Sequence, residues 1–259
     1  MNSVLALKLF LVPSLIYFVT LAGRRWGPAV AGWLSAFPIV AGPILLAISL
    51  EQGTGFAATA AESTLMAVLA MIAFSLAYAW SSARLGVAGA MPIALGAWAL
   101  AVAALQSVQL PLPFAAIAVI AALLAAPRLF PVLPHVQAEA PAARNGRDLP
   151  WRMLAGAVLV MSVSAAAAGL GPRLSGFFAM FPVMGTVLVG FTHVQAGRHS
   201  AVQLLRGMIL GYFAFAAFCL AIALLLRAQP VAASFFCAFV FALTIQLLVK
   251  AASSRRQAT

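Results

Sequence analysis

The chain has 259 residues, of which 65% are hydrophobic and 7% charged, with a mean hydropathy of +1.10. That composition excludes an ordinary soluble domain. The 15 Lys and Arg outnumber the 4 Asp and Glu, but the basic residues sit singly in short loops, so they read as topology signals and not as a nucleic-acid surface.

Apolar segments of about 17 to 25 residues can cross a hydrocarbon core of about 30 Å. Nine are predicted, over 3–22, 29–50, 60–80, 86–106, 112–130, 152–169, 174–196, 204–226 and 230–249. The expected fold class is all-α, a polytopic membrane protein of about nine transmembrane helices. The first segment has no basic residue before Lys8 and is needed as the partner of a later helix, so it reads as a retained crossing.

The second segment, "AGWLSAFPIVAGPILLAISLEQG", carries a Phe-Pro pair in mid-run, where proline removes a backbone donor and displaces the carbonyl four residues earlier, here Leu34. Pro43 loosens the same helix further. Glu51 ends that segment and Glu62 opens the next. These two read as the only acids near the membrane, because Glu139 and Asp148 fall in a polar stretch, "PHVQAEAPAARNGRDLP", expected to be a cytoplasmic linker over 134–150. Glu51 and Glu62 are candidates for coupling or gating, or else a solvated pair at helix ends.

The seventh segment, "SGFFAMFPVMGTVLVGFTHVQAG", repeats the pattern of the second. At an offset of 144, Gly27-Pro28 meets Gly171-Pro172, Gly32 meets Gly176, Phe37-Pro38 meets Phe181-Pro182 and Gly53 meets Gly197, without a gap. Lys8 meets Arg152 and Phe74 meets Phe218. Glycine, proline and phenylalanine at such fixed spacings point to an internal duplication. The predicted organisation is a four-helix repeat over 1–110, a linking transmembrane helix over 111–133, the linker over 134–150, and a second repeat with a basic tail over 151–259.

Five crossings separate the starts of the two copies, so they are expected to lie in opposite orientations. With the N-terminus outside and the C-terminus inside, twelve basic residues fall on the inner side and only Lys8, Arg173 and Arg227 on the outer. An inverted repeat is a recurrent transporter plan, with sites near the midplane.

Each copy, with its Gly, its Phe-Pro pair and its downstream "EQG" or "QAG", resembles the GlpM-type family of small four-helix bacterial inner-membrane proteins. The likeness covers roughly 4–106 and 152–250. It falls on Gly32, Phe37, Pro38, Glu51 and Gly53, then on Gly176, Phe181, Pro182 and Gly197, with Gln195 in place of the acid. The resemblance implies a bacterial inner-membrane protein in which a fused repeat replaces antiparallel dimerisation. It also implies a link to envelope polysaccharide production.

The substrate-pathway candidates are Ser35, Phe37, Pro38, Gly42, Phe181, Pro182, Gly185 and Thr186. The bland alternative is a pair of kinks that shape packing, with the phenylalanines as filler. His193, one and a half turns before an inner loop, is a further gating candidate. His193 and His199 have no nearby acid or thiol, and Cys219 and Cys237 lie apart inside apolar helices, so no metal or other cofactor is expected. No nucleotide loop or nucleophile elbow is present, and an enzyme is the least supported class. The expected partners are the lipid bilayer, a small-molecule substrate and, for the whole protein, a further copy of itself in a homo-oligomer. The expected function is a transporter or channel for a small solute; the rival is an accessory or scaffold protein of envelope polysaccharide assembly that moves nothing.

Overall fold

A computed structural model describes residues 3–108, 110–133, 148–167 and 181–258, leaving the side chains of 3–8, 164, 166–167 and 253–258 outside the description. In hydrocarbon every backbone N–H and C=O needs an internal partner, which favours helices. Among the described residues the chain is helical with no strand. Five of the described helices are long and apolar enough to cross a membrane.

Helix α1 (Ser3–Trp26) carries Arg24 and Arg25 in its last turn, where the helix dipole favours cations. Gly27, at φ 94°, turns the chain into α2 (Pro28–Ser35), with proline at its first position where a missing N–H costs nothing. The predicted crossing over 29–50 is interrupted: α2 stops at Ser35, residues 36–40 form the break, and α3 (Ala41–Gln52) resumes. Next come α4 (Thr54–Ser81), α5 (Val87–Gln106), α6 (Leu112–Leu129) and α7 (Leu149–Ala167). A wide π-turn at Gly185–Val189 leads into α8 (Gly190–Leu225), and α9 (Val231–Ala258) ends the chain. α4 starts six residues before the predicted span, at Thr54, because Gly53 allows the helix to resume directly after α3.

The core is built on α4 and α8. In their most apolar stretches 72% and 61% of residues are buried, against 22% for α5 and 28% each for α6 and α9, which places the latter three at the rim. Ile93, Leu100, Phe114, Ile117, Phe236 and Leu247 are exposed on those rim helices, as a lipid-facing surface requires. Arg198, near the start of the long limb of α8, reaches Ser82 and Ala79 at the end of α4, while Arg227, just past α8, meets Glu62 near the start of α4. α4 and α8 therefore run antiparallel.

Several backbone features recur 144 residues apart. Gly53 has φ 89° and ψ 163°; Gly197, which bends α8 into two limbs, has φ 75° and ψ 172°. Left-handed backbone of this kind suits glycine, and a Cβ at either position would meet nothing within 4 Å, so the requirement is conformational and not steric. The turn after α4 is closed by Ser82 N–H to Tyr78 C=O, Ala83 to Trp80 and Leu85 to Ser81. The turn after α8 is closed by Leu226 to Ile222, Arg227 to Leu224 and Gln229 to Leu225.

α2 crosses α8 at close range. A Cβ at Gly32 would fall on the Leu204 carbonyl and one at Gly207 on the Ala29 carbonyl, so the two backbones touch through paired glycines. Gly171, Pro172 and Gly176 lie outside the described residues, as does the linker up to residue 147.

Candidate functional site

Both Phe-Pro breaks are built alike. Ile39 N–H donates to Phe37 C=O at 2.7 Å and Val183 N–H to Phe181 C=O at 2.7 Å; then Gly42 N–H reaches Pro38 C=O at 2.9 Å and Thr186 N–H reaches Pro182 C=O at 2.7 Å. The Leu34 carbonyl, which proline was expected to leave free, accepts from Phe37 N–H at 3.2 Å. Ser35 Oγ donates to Gly32 C=O at 2.8 Å. The break closes much of its own hydrogen bonding in place of offering a bare row of carbonyls.

The two breaks line one half-open cavity of about 110 Å³. Ser35, Phe37, Val40 and Ile44 come from the first break and its flanks, and Phe181, Pro182, Met184 and Gly185 from the second. Val12 of α1, Val160 of α7, and Met208, Tyr212 and Phe215 of α8 complete the wall. Phe37 is braced by Phe239 of α9, with ring centroids 6.5 Å apart, and Phe181 by Trp98 of α5, edge to face at 5.0 Å. No family model, curated protein or solved structure matches the chain.

Of the eight pathway candidates, Ser35, Phe37, Phe181, Pro182 and Gly185 line this cavity. Pro38 is buried but is not among the lining residues. Gly42 packs against the Phe239 ring, so its role here is close approach. The Thr186 hydroxyl is buried without a hydrogen-bond partner among the described residues.

The gating candidates lie elsewhere. Glu51 is exposed at the end of α3. Glu62 pairs with Arg227 at 2.5 Å, and both side chains are exposed enough for water to weaken the pair. His193 Nδ1 stands 2.7 Å from the hydroxyl of Tyr78, which is fully buried.

A charged network escaped the sequence reading. Asp148 accepts from Arg24 at 2.5 Å and from Arg152 Nε at 2.6 Å, and Arg152 also donates to Gln195 Oε1 at 2.7 Å. Arg152 is only 5% exposed, a buried cation with its counter-charge one turn away and not a side chain reaching for the interface. The expectation for Asp148 is corrected, since it belongs to the packed protein and not to a free linker. Burial pushes its carboxyl up, but hydrogen bonds from Gln195 and Arg152 and the charges of Arg152 and Arg24 outweigh that and hold it below the ordinary range. An Asp four residues before an Arg at a helix start was the available signal.

Two buried polar side chains bond between helices: Tyr78 through His193, and Gln246, which donates to Trp33 C=O at 3.0 Å. Tyr212 lines the cavity, and its hydroxyl bonds to no described residue.

Proposed function

We propose that this protein is an inner-membrane transporter or channel for a small solute, built as an inverted pseudo-dimer of nine crossings with its site at the paired Phe-Pro breaks. One observation carries the reading: the two breaks, far apart in sequence, line a single cavity. Broken helices facing a cavity near the midplane are the usual substrate-site plan of inverted-repeat transporters.

The inverted duplication is supported by the matched turns, by the Gly53 and Gly197 conformations, and by the antiparallel run of α4 against α8. The proposed topology is supported by its contacts: Arg24, Asp148, Arg152 and Gln195, all assigned to the inner side, meet one another, and so do the outer Glu62 and Arg227. The likeness to the GlpM-type family belongs to this proposal, as does a bacterial inner membrane with the N-terminus outside. The scaffold reading calls for a dry, packed seam at the Phe-Pro level, and a cavity there speaks for passage. The described lining residues offer no acid–base pair, which favours holding a solute over converting it.

Solute flux in proteoliposomes, measured over a panel of neutral and weakly charged compounds, tests the proposal. Val160→Phe, which fills the cavity, should lower flux towards that of protein-free vesicles. Flux at the protein-free level for every compound would leave the scaffold role. Glu51→Gln tests coupling on the outer side: it should flatten the pH profile of flux, and an unchanged profile would make Glu51 an exposed helix-end residue only.

A further inference from the structure

The cavity wall is selective in its chemistry. It presents the rings of Phe37, Phe181, Phe215 and Tyr212 and the thioethers of Met184 and Met208, but no carboxylate, ammonium, guanidinium or imidazole among the described lining residues. The charged clusters at Asp148 and at Glu62 lie outside the lining. An ion entering this space would shed its hydration and meet no counter-charge, which is strongly unfavourable. Rings and thioethers, by contrast, receive an aromatic guest well.

One polar handle is present. Tyr212 is 3% exposed, lines the cavity, and its hydroxyl makes no hydrogen bond to a described residue. Buried tyrosine hydroxyls ordinarily find a partner, because leaving one unmade is costly. Ser35 Oγ, committed as a donor to Gly32, retains a lone pair that can accept.

Size narrows the class further. An apolar cavity of about 150 Å³ takes benzene, so this one, smaller at about 110 Å³ but open on one side, admits no more than one ring. We infer that the central cavity binds a neutral, single-ring amphipathic molecule of phenol size, its ring against the aromatic wall and its hydroxyl on Tyr212. The inference rests on reading the cavity as a solute site.

Equilibrium dialysis of radiolabelled phenol against the full-length protein in nanodiscs, with empty nanodiscs subtracting partition into lipid, tests it. The expected result is saturable uptake of phenol and none of benzenesulfonate, which has a similar ring and a charge. Tyr212→Phe should weaken phenol roughly fivefold to tenfold while leaving toluene nearly unchanged, since only phenol uses the hydroxyl. Val160→Phe should abolish binding of both, with its thermal unfolding midpoint recorded to show that the variant is folded. Absence of saturable phenol uptake, equal binding of benzenesulfonate, or a Tyr212→Phe effect that is nil or equal for phenol and toluene would overturn the inference. Phenol binding without solute flux in proteoliposomes would keep this inference and remove the transport reading. Flux of a charged solute without phenol binding would do the reverse.

Discussion

Asp148 stands 2.6 Å from Arg152 across a single helical turn, and the same carboxylate reaches Arg24, which lies 124 positions earlier in the chain. Three segments, the end of α1, the start of α7 and the first limb of α8, are thereby tied at one point. Asp148→Asn would leave the Arg152 guanidinium buried without a counter-charge and should destabilise the protein by about 3 kcal/mol. The pH dependence has a definite sign. The Asp148 carboxyl titrates below its ordinary value of about 3.9 when folded, so its stabilisation is complete above that value and is lost as pH falls through the folded one. Thermal midpoints of wild type and Asp148→Asn should differ at neutral pH and converge in acid. A constant gap across pH would deny the carboxylate this role.

Gly53→Ala and Gly197→Ala should each cost about 1–2 kcal/mol, because both residues hold left-handed backbone and nothing crowds the added methyl. Gly55→Ala, equally uncrowded but inside a helix, should be neutral or stabilising. Unfolding in graded denaturing detergent compares the three. Unequal costs at 53 and 197 would count against equivalent turns.

Gly32→Ala and Gly207→Ala both wedge α2 away from α8, since either methyl falls on a facing backbone carbonyl. Each should lower stability by about 1–3 kcal/mol. The double variant should cost less than the sum, because one displacement relieves both clashes. Strict additivity would mean that the two glycines serve separate contacts.

Reporter fusions placed after Thr259 and within residues 134–147 should both read cytoplasmic. A linker that reads periplasmic, or reporters on opposite sides, would exclude the inverted arrangement.

The two Phe-Pro breaks were legible because glycine, proline and phenylalanine stand out against an apolar background. Phe37 and Phe181 were found by their common offset, and both line the cavity. Val12, Val160 and Met208 could not be found that way. In helices that are apolar all round, no polar face marks which side meets protein and which meets lipid. Asp148 was missed for a different reason: Ala and Pro around it resemble a linker, and Arg24 is remote in sequence. The offset also located Gly53 and Gly197, but not the fact that a helix could restart at the very next residue.

The crossing of α2 on α8 also bears on how the protein is made. Chains insert from the N-terminus at roughly 5–20 residues per second, and the partner of Gly32 is synthesised roughly 170 residues later, so α2 would wait on the order of ten to thirty seconds for its neighbour. During that interval its small-residue face and the adjoining break have only lipid, the translocation machinery or earlier helices to lean on. A chain truncated before Leu204 would stay in that state permanently. Such products are natural substrates for membrane proteases, so nonsense mutations late in the chain should deplete the protein from the membrane, not leave a stable first half.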